Sequence, residues 1–347
     1  MFDSEYPSSR MLYRQALTTS LIPAEPVFRA CDGHHADVLL GSLGVEGSVD
    51  VPENMLDGTL FRVTSSNGEY LFVKRISAKR LAGMRVADKI SEWLADHKIN
   101  TISTEYTRPC SDDTGDVYFV SKYFSFRYLS PSTDDIEKLA TEVAKLHVAL
   151  ALHPDTEVWK NATVERMRDL EQVRARFLKG NIQNVPFKEQ IYSICDDDNI
   201  TFYDAAWSCT PLHGDLNAFN ALVSKKNDSI YIIDFEDTFH SVLPVEFDLA
   251  LCIERNILVQ QDDDEKAAGL VLAFLNSYAK ANPINIELVK EQLYPSLKTL
   301  SVRSLCVLIA SVELNIEISL DEWKKFLFLL EKLECRSAVF TQHLTNE

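Results

Sequence analysis

One short segment, residues 211–237, constrains this chain more than any other part of its sequence: PLHGDLNAFNALVSKKNDSIYIIDFED. Asp215 and Asn220 lie five positions apart on a predicted loop, and the apolar run 229–235 predicts a buried strand that delivers Asp234. One carboxylate can accept the proton of a substrate hydroxyl, while an amide and a second carboxylate can hold Mg²⁺. The spacing therefore predicts a phosphoryl-transfer site.

The composition favours a globular enzyme. The 347 residues are 46% hydrophobic and 25% charged, which is enough for one large core or two moderate ones. A net charge of −17 argues against a nucleic-acid partner, while it is compatible both with a cationic substrate and with simple solubility. No apolar run approaches the roughly 18–20 residues that a membrane span needs, so no membrane association is expected.

The expected localisation is the cytoplasm. The N-terminus carries early acids and lacks a basic-then-apolar signal pattern. Seven scattered cysteines without a C-x-x-C pair favour free thiols in a reducing compartment over disulfides or a zinc site.

The first strong structural signal is a β-hairpin that carries a lysine. Residues 58–65 form the predicted first strand, residues 66–68 the turn, and residues 69–76 the return strand with Lys74 near its end. A predicted helix over 80–97 follows directly.

The remainder of the N-terminal part is predicted to be β-rich. Residues 101–107 and 116–126 form two further predicted strands, joined by a polar turn. Upstream of the hairpin, residues 1–35 form an extension in which a short helix over 8–18 fits the pattern, and residues 27–51 predict a turn-rich lead-in.

Beyond residue 124 the pattern changes to helices. Apolar residues recur at helical spacing, and the predicted helices cover 133–152, 158–178, 186–195, 244–258, 266–280 and 286–340, the last interrupted near Pro295 and Leu320. The predicted fold class is α+β and two-lobed. Residues 1–123 form a β-rich nucleotide-binding lobe, and residues 124–347 form a helical lobe for catalysis and substrate binding.

The motifs resemble those of the aminoglycoside phosphotransferase/choline kinase family, the small-molecule branch of the protein-kinase-like fold. HGDLNAFN, IIDFED and FDLA occur in that order within residues 211–250. With the lysine strand and the helix that carries KLHVAL, the resemblance extends over about 57–330.

The resemblance implies a role for each matched residue. Asp215 would be the catalytic carboxylate, and Asn220 and Asp234 would hold Mg²⁺ against the phosphates of ATP. Lys74 would contact the same phosphates, because the transferred group carries negative charge that must be neutralised and positioned. His213 and Asp248 are predicted to have structural roles in the loop.

Other parts of the nucleotide site are implied less specifically. The phosphate-binding lysine of a kinase-like lobe pairs with an acid on the following helix, and Asp88 and Glu92 are the two alternatives here. Gly58 and Thr59 would form a short phosphate loop. Tyr123 lies in the predicted hinge, where a nucleotide base would contact the backbone.

Two stretches depart from the family pattern. Asn217, Ala218 and Phe219 occupy the middle of the catalytic loop, where the family commonly has a His-Pro-Gly run. Ser125-Phe126-Arg127 replaces the acidic-glycine pair that usually follows the hinge strand. These changes concern nucleotide preference and pocket shape.

These features predict an enzyme, an ATP-dependent phosphotransferase that acts on a hydroxyl of an amino alcohol, a sugar or an aminoglycoside type of molecule. The acceptor could be cationic, with cage candidates Trp207, Phe239, Glu254, Tyr278 and Trp323. A small molecule is favoured over a protein because no A-P-E-like element follows Asp234. The alternatives are a catalytically inactive nucleotide-binding module and transfer of a nucleotidyl group.

Overall fold

The structure is a computed structural model that describes residues 25–52, 59–111 and 114–345. The predicted helix over 8–18 and Gly58 of the predicted phosphate loop lie outside the described residues.

The chain divides into two compact units. The first unit contains the described residues up to Leu129 together with Phe219–Glu236, and the second contains Ser130–Ala218 and the residues from Asp237 onwards. The predicted boundary at 123/124 differs from this division, because the segment Phe219–Glu236 belongs with the first unit rather than with the helices that flank it in sequence.

The first unit is built on a six-stranded sheet in which every neighbouring pair is antiparallel. The strand order is β1-β2-β3-β4-β6-β5. The strands are β1 (Phe28–Ala30), β2 (Gly47–Pro52), β3 (Leu60–Ser65), β4 (Tyr70–Ile76), β5 (Tyr106–Pro109) and β6 (Val117–Lys122).

The lysine-bearing hairpin is confirmed as β3 and β4. Leu60 pairs with Lys74 in the register, and Gly68 supplies the positive φ of 83° that the turn requires. Alternate residues of both strands face the core of the unit, including Phe61 and Val73, which are 5% and 0% exposed.

Two helices accompany this sheet. Helix α1 (Gly33–Leu43) replaces the turn-rich lead-in expected there, because Asp32 caps its first turn and Gly44, at φ 68°, ends it. Helix α2 (Leu81–Asp96) follows β4 as predicted. The strand predicted over 101–107 is instead β5, which begins at Tyr106.

A second, three-stranded sheet completes the first unit in the order β10-β9-β7. Its strands are β7 (Phe126–Tyr128), β9 (Ala221–Ser224) and β10 (Ile230–Ile232). The strand predicted over 229–235 therefore ends at Ile232, and Asp234 lies just beyond its end.

The second unit is helical. Its elements are α3 (Thr133–Ala151), α4 (Thr156–Leu178), α5 (Lys188–Cys195), α6 (Val245–Ile253), α7 (Asp264–Ala281), α8 (Ile286–Glu313) and α9 (Leu320–Thr345), with a short ladder between β8 (Thr210–Pro211) and β11 (Val242–Leu243). Helix α6 continues into a π-helical turn, Glu254–Leu258, that no sequence pattern predicted. Pro295 lies inside α8 and does not end that helix.

Helix α8 is also the one described helix that is long and apolar enough to cross a membrane. Within its apolar window, 67% of the residues are buried inside the protein, which is typical of a core helix. Buried side chains of α4, α8 and α9 form one apolar cluster that includes Phe177, Leu305 and Trp323.

Candidate active site

The loop that carries Asp215 is anchored by a buried carboxylate. Asp248, on α6, accepts hydrogen bonds from the backbone N–H groups of His213 at 2.7 Å and of Gly214 at 3.0 Å. Its side chain is only 2% exposed, and both of its oxygens are engaged. Asp248 therefore makes two direct contacts with the loop that carries Asp215, as its predicted structural role requires.

Behind Asp248 a hydrogen-bond chain runs through the helical core. His147 Nε2 lies 3.1 Å from Asp248 Oδ2, and His147 Nδ1 lies 2.8 Å from the hydroxyl of Tyr278. The Tyr278 hydroxyl also accepts from Asn282 Nδ2 at 3.0 Å. This chain is consistent with His147 donating from Nε2 and accepting at Nδ1.

Gly214 is required by the shape of the loop. Its φ is +86°, and a Cβ added there would lie 2.9 Å from Ser241 Cβ and 3.1 Å from Asp237 Cβ. The sequence H-G-D therefore combines an anchored backbone at His213 with a turn that only glycine fits comfortably.

Asp215 itself is oriented from within the loop. Asn217 donates from Nδ2 to Asp215 Oδ2 at 2.9 Å, and the backbone N–H of Asp215 donates to Nδ1 of His213 at 3.2 Å. Asn217 is 1% exposed, so the amide cannot turn towards bulk water. One oxygen of the carboxylate is thus held by a neutral donor.

Asp215 and Gly214 line a cavity in the second unit. Charged side chains dominate the polar part of its lining: Arg166, Asp237, Glu254, Arg255, Arg303 and Lys325. Arg166 pairs with Asp237 at 3.1 Å, and Arg255 pairs with Glu254 at 2.7 Å. Burial raises the pKa of Glu254, although Arg255 opposes that shift.

The first unit contains a separate ionic cluster around Lys74. The ammonium of Lys74 lies 3.3 Å from Asp234 Oδ1 and also pairs with Glu236, which in turn pairs with Arg80. All four side chains are between 16% and 23% exposed. Two cations and two carboxylates are therefore held together beside the end of β10.

The pKa values in this cluster follow from the pairing. Burial favours the neutral form of Glu236, but attraction to Lys74 and Arg80 outweighs it and lowers the pKa of Glu236 to about 2. Burial likewise opposes the charge of Lys74, and Asp234 and Glu236 outweigh it and raise the pKa of Lys74. Lys74 and Glu236 are therefore both charged at neutral pH.

Asp234 has an unusual backbone. Its φ of 68° lies in the left-handed region, which costs energy for a residue with a side chain and is found preferentially at functional sites. The backbone N–H of Ile233 donates to the carbonyl of Asn220 at 2.9 Å, so Asn220 lies next to the residue that precedes Asp234.

These two residues fit a magnesium site. Mg²⁺ is bound through one or two carboxylates together with substrate phosphates, and amide oxygens are suitable additional donors. Asp234 and Asn220 supply one carboxylate and one amide from adjacent backbone positions. The described residues contain no group of three or more His, Cys, Asp or Glu side chains that could hold a metal without such phosphates.

The remaining predicted nucleotide residues have mixed outcomes. Neither helix acid pairs with Lys74 within the described residues. Asp88 accepts a hydrogen bond from the backbone N–H of Thr104 at 3.0 Å. Glu92 is exposed to solvent on α2. Thr59 accepts from the backbone of Arg75 through its carbonyl at 2.7 Å.

The aromatic residues of the first unit pack together. Tyr123 is half-buried, with ring centroids 6.1 Å from Tyr70 and from Phe126. Phe219, which departs from the family pattern, is 5% exposed and meets Tyr128 edge-to-face at 5.2 Å. It is therefore a core residue of the three-stranded sheet.

Three residues that contact the candidate site residues were not predicted from the sequence. Arg80 follows the lysine strand and could have been recognised as a second cation for an acid of the IDFE motif. Asn217 lies two positions after Asp215 and could have been read as a donor to it. His147 carried a weaker signal, since a lone histidine on an apolar helix is common.

These features define a protein-kinase-like fold of the small-molecule type, with a lysine-bearing antiparallel sheet in one unit and an HGD loop on a helical unit. The chain belongs to the phosphotransferase enzyme family (APH), whose family model matches residues 53–284, well over half of the chain. The predicted family and enzyme class are thereby confirmed, and membership implies nucleotide binding.

Solved structures agree with this fold. Choline kinase LicA from Streptococcus pneumoniae is 15% identical, with a TM-score of 0.57 over 87% of this chain and 100% of that one. An aminoglycoside-3'-phosphotransferase of type VIII is 17% identical, with a TM-score of 0.50 over 80% and 99%. A macrolide 2'-phosphotransferase of type I is 14% identical, with a TM-score of 0.50 over 84% and 99%. At these identities the likeness shows the fold alone.

No curated protein matches the sequence of this chain.

Proposed function

We propose that this protein transfers the γ-phosphoryl group of ATP to a hydroxyl of a small molecule in the cytoplasm. The observation that carries the proposal is the location and orientation of the Asp215 carboxylate. Its carboxylate lines a cavity of the second unit and is oriented by Asn217, on a loop whose backbone Asp248 anchors.

Asp215 has the role of the group that orients the acceptor hydroxyl and takes its proton as the new bond to phosphorus forms. Asn217 keeps one carboxylate oxygen of Asp215 in place. Positioning of this kind is a main source of rate in phosphoryl transfer, because the reaction needs little covalent chemistry from the protein.

In the first unit, Lys74 would bind phosphate oxygens of the nucleotide, and Asn220 and Asp234 would hold Mg²⁺. When bound, that ion supplies charge neutralisation for the transferred group. Glu236 holds the Lys74 ammonium in place by pairing with it directly. Arg80 pairs with the same Glu236 carboxylate and so helps to fix it.

The test is the ADP formed from ATP and Mg²⁺ with panels of amino alcohols, sugars and aminoglycosides, for the wild type and for Asp215→Asn. We expect acceptor-dependent turnover in the wild type and a loss of at least about 10³-fold in the variant, with nucleotide affinity nearly unchanged. Asp321→Asn, on the exposed start of α9, is the matched control and should behave as wild type.

Two outcomes would replace this function. If ATP binds and no acceptor raises turnover, the chain is a nucleotide-binding module without transferase activity. If AMP is found attached to a product, the chain transfers a nucleotidyl group. Equal activity of Asp215→Asn and the wild type would remove Asp215 from the mechanism.

A further inference from the structure

The lining of the cavity beside Asp215 contains more cations than carboxylates, although the chain as a whole is acidic. The protein carries a net charge of −17, yet the cavity lining includes four cations and three carboxylates. The cations come from four different elements, α4, the π-helical turn, α8 and α9: Arg166, Arg255, Arg303 and Lys325. Cations from four separate elements therefore line one cavity of an acidic protein, where they raise the local potential that an anion would meet.

The carboxylates of the cavity are already engaged. Asp237 pairs with Arg166 at 3.1 Å, and Glu254 pairs with Arg255 at 2.7 Å with side chains only 6% and 9% exposed. The third carboxylate, Asp215, has the role of receiving the acceptor hydroxyl. A cationic acceptor would therefore have to displace a buried arginine from its partner, which is costly.

The candidates for a cation cage do not surround this cavity. Of the five considered from sequence, the described lining includes Glu254 alone. Tyr278 is fully buried and hydrogen-bonded to His147, and Trp323 is 1% exposed in the apolar core. The rings of Tyr278 and Trp323, which could attract an ammonium if exposed, are thus used in packing.

The cations are placed to receive an anion. Lys325 is 3% exposed, with its ammonium 2.6 Å from Glu322 Oε2. Arg303 is half-buried, with its guanidinium 5.9 Å from the ring centroid of Phe247. A guanidinium has a planar fork of donors that binds a carboxylate or a phosphate in a bidentate manner.

We propose that the acceptor carries an anionic group, a carboxylate or a phosphate monoester, in addition to the hydroxyl, and that Arg303 is its main binding residue in this cavity. The inference rests on the proposed function and replaces the cationic acceptor considered from the sequence. Arg255 and Lys325 contribute positive charge to the same cavity. Glu254 Oε1, which has no hydrogen-bond partner among the described residues, is available to a further hydroxyl of the acceptor.

Two matched series of acceptors test whether the protein prefers an anionic acceptor. The three-carbon series is glycerol, glycerate, glycerol 3-phosphate and 3-amino-1,2-propanediol, and the six-carbon series is glucose, gluconate, glucose 6-phosphate and glucosamine. Each compound is assayed for turnover with ATP and Mg²⁺, and for binding to the full chain by calorimetry without nucleotide. In at least one series, we expect kcat/KM and affinity at least ten-fold higher for an anionic member than for the neutral and ammonium members.

Two variants test the residue. Arg303→Ala should raise Kd and KM for the anionic acceptor at least ten-fold and leave the Kd of ATP unchanged, and Arg303→Lys should restore part of the loss. Arg176→Ala, an arginine of α4 that pairs with Glu313 outside the cavity, is the matched control and should have no effect.

The outcomes separate the two proposals. Binding of anions that depends on Arg303, without turnover of any acceptor, supports the anionic site and overturns the transferase. Turnover that prefers the ammonium or neutral members overturns the anionic site and keeps the transferase. Binding of no anion in either series, or binding that Arg303→Ala leaves unchanged, also overturns the anionic site. The carboxylate and phosphate arms show which anion the cavity prefers.

Discussion

Asn217 donates from its side-chain amide to Oδ2 of Asp215 at 2.9 Å, and both residues lie on the same loop of the second unit. Because Asn217 is 1% exposed, this hydrogen bond limits the positions that the carboxylate can take. Asn217, one of the residues that depart from the family pattern, is thus expected to position the carboxylate that is proposed to receive the acceptor proton.

Asn217→Ala should lower kcat by about 10²-fold while leaving the KM of ATP unchanged, because it releases the Asp215 carboxylate without altering the nucleotide residues. Asn217→Asp should be at least as damaging, since it places a like charge beside Asp215. Steady-state kinetics measure both. Asn161→Ala, on the exposed face of α4, is the control. A purely structural role would instead lower the melting temperature and leave kcat per folded molecule unchanged.

Lys74→Ala should raise the Kd of ATP–Mg²⁺ by at least about ten-fold, because it removes the cation proposed to bind the nucleotide phosphates. Lys89→Ala, an exposed lysine on α2, provides the comparison and should leave the Kd unchanged. Calorimetric titration with a non-hydrolysable ATP analogue gives both values. Unaltered affinity in the folded Lys74→Ala variant would remove Lys74 from the nucleotide site.

Glu236→Gln should lower the free energy of unfolding by about 2–4 kcal/mol, because it leaves Lys74 and Arg80 beside each other without their shared carboxylate. Glu105→Gln breaks only an exposed pair with Lys122 at 3.5 Å and should cost less than about 0.5 kcal/mol. Urea unfolding at pH 7 compares them.

The contribution of Glu236 to the free energy of unfolding depends on pH. The folded-state pKa of Glu236 is about 2, against 4.5 for the free side chain, so its contribution is present above pH 4.5 and is lost as the pH falls towards 2. Urea unfolding between pH 6 and pH 3 should therefore show a smaller difference between wild type and Glu236→Gln at the lower pH. A difference that stays constant over this range would contradict the assignment.

His240 should make the protein less stable as the pH falls from 6.5 to about 4. Burial, with a further contribution from Arg166, lowers its pKa from 6.5 to about 4. Between these values the unfolded chain binds a proton that the folded chain does not, so stability is lost as the pH falls from 6.5 to 4, by up to about 3 kcal/mol. His240→Gln should flatten this part of the stability profile measured by urea unfolding, and an unchanged slope would contradict the prediction.

Gly214→Ala should destabilise the protein by about 2–3 kcal/mol, because the new Cβ meets Ser241 and Asp237 and the backbone stays at φ +86°. Gly269→Ala provides the opposite expectation. It lies in α7 with nothing within 4 Å of the added carbon, so it should stabilise by about 0.5–1 kcal/mol. Thermal unfolding of the two variants distinguishes a steric cause from a general intolerance of alanine.

The loop that carries Asp215 and the lysine hairpin could be predicted from the sequence because their signals are local. The spacing of Asp215, Asn220 and Asp234 lies within one segment, and β3 and β4 alternate apolar residues around a turn that contains Gly68. The family resemblance rests on the same local motifs.

What could not be predicted depends on contacts between distant residues. Lys74 and Glu236 are 162 positions apart, so the sequence offered the nearer Asp88 and Glu92 as partners instead. The four cations of the cavity lie on four elements, and no local pattern shows that their side chains meet. Helix α1 was missed because its stop signal, Gly44, was one of several glycines that suggested turns.

The membership of Phe219–Glu236 in the first unit has a consequence for how the chain folds on the ribosome. Among the described strands, β7 (Phe126–Tyr128) pairs only with β9 (Ala221–Ser224), so the small sheet must wait until translation has passed residue 224. At a synthesis rate of roughly 5–20 residues per second, that delay is on the order of 5–20 seconds. During this delay β7 has no partner strand, and the aromatic residues beside it remain uncovered. Nascent chains arrested before β9 should therefore be more sensitive to protease in the first unit than chains arrested after β10.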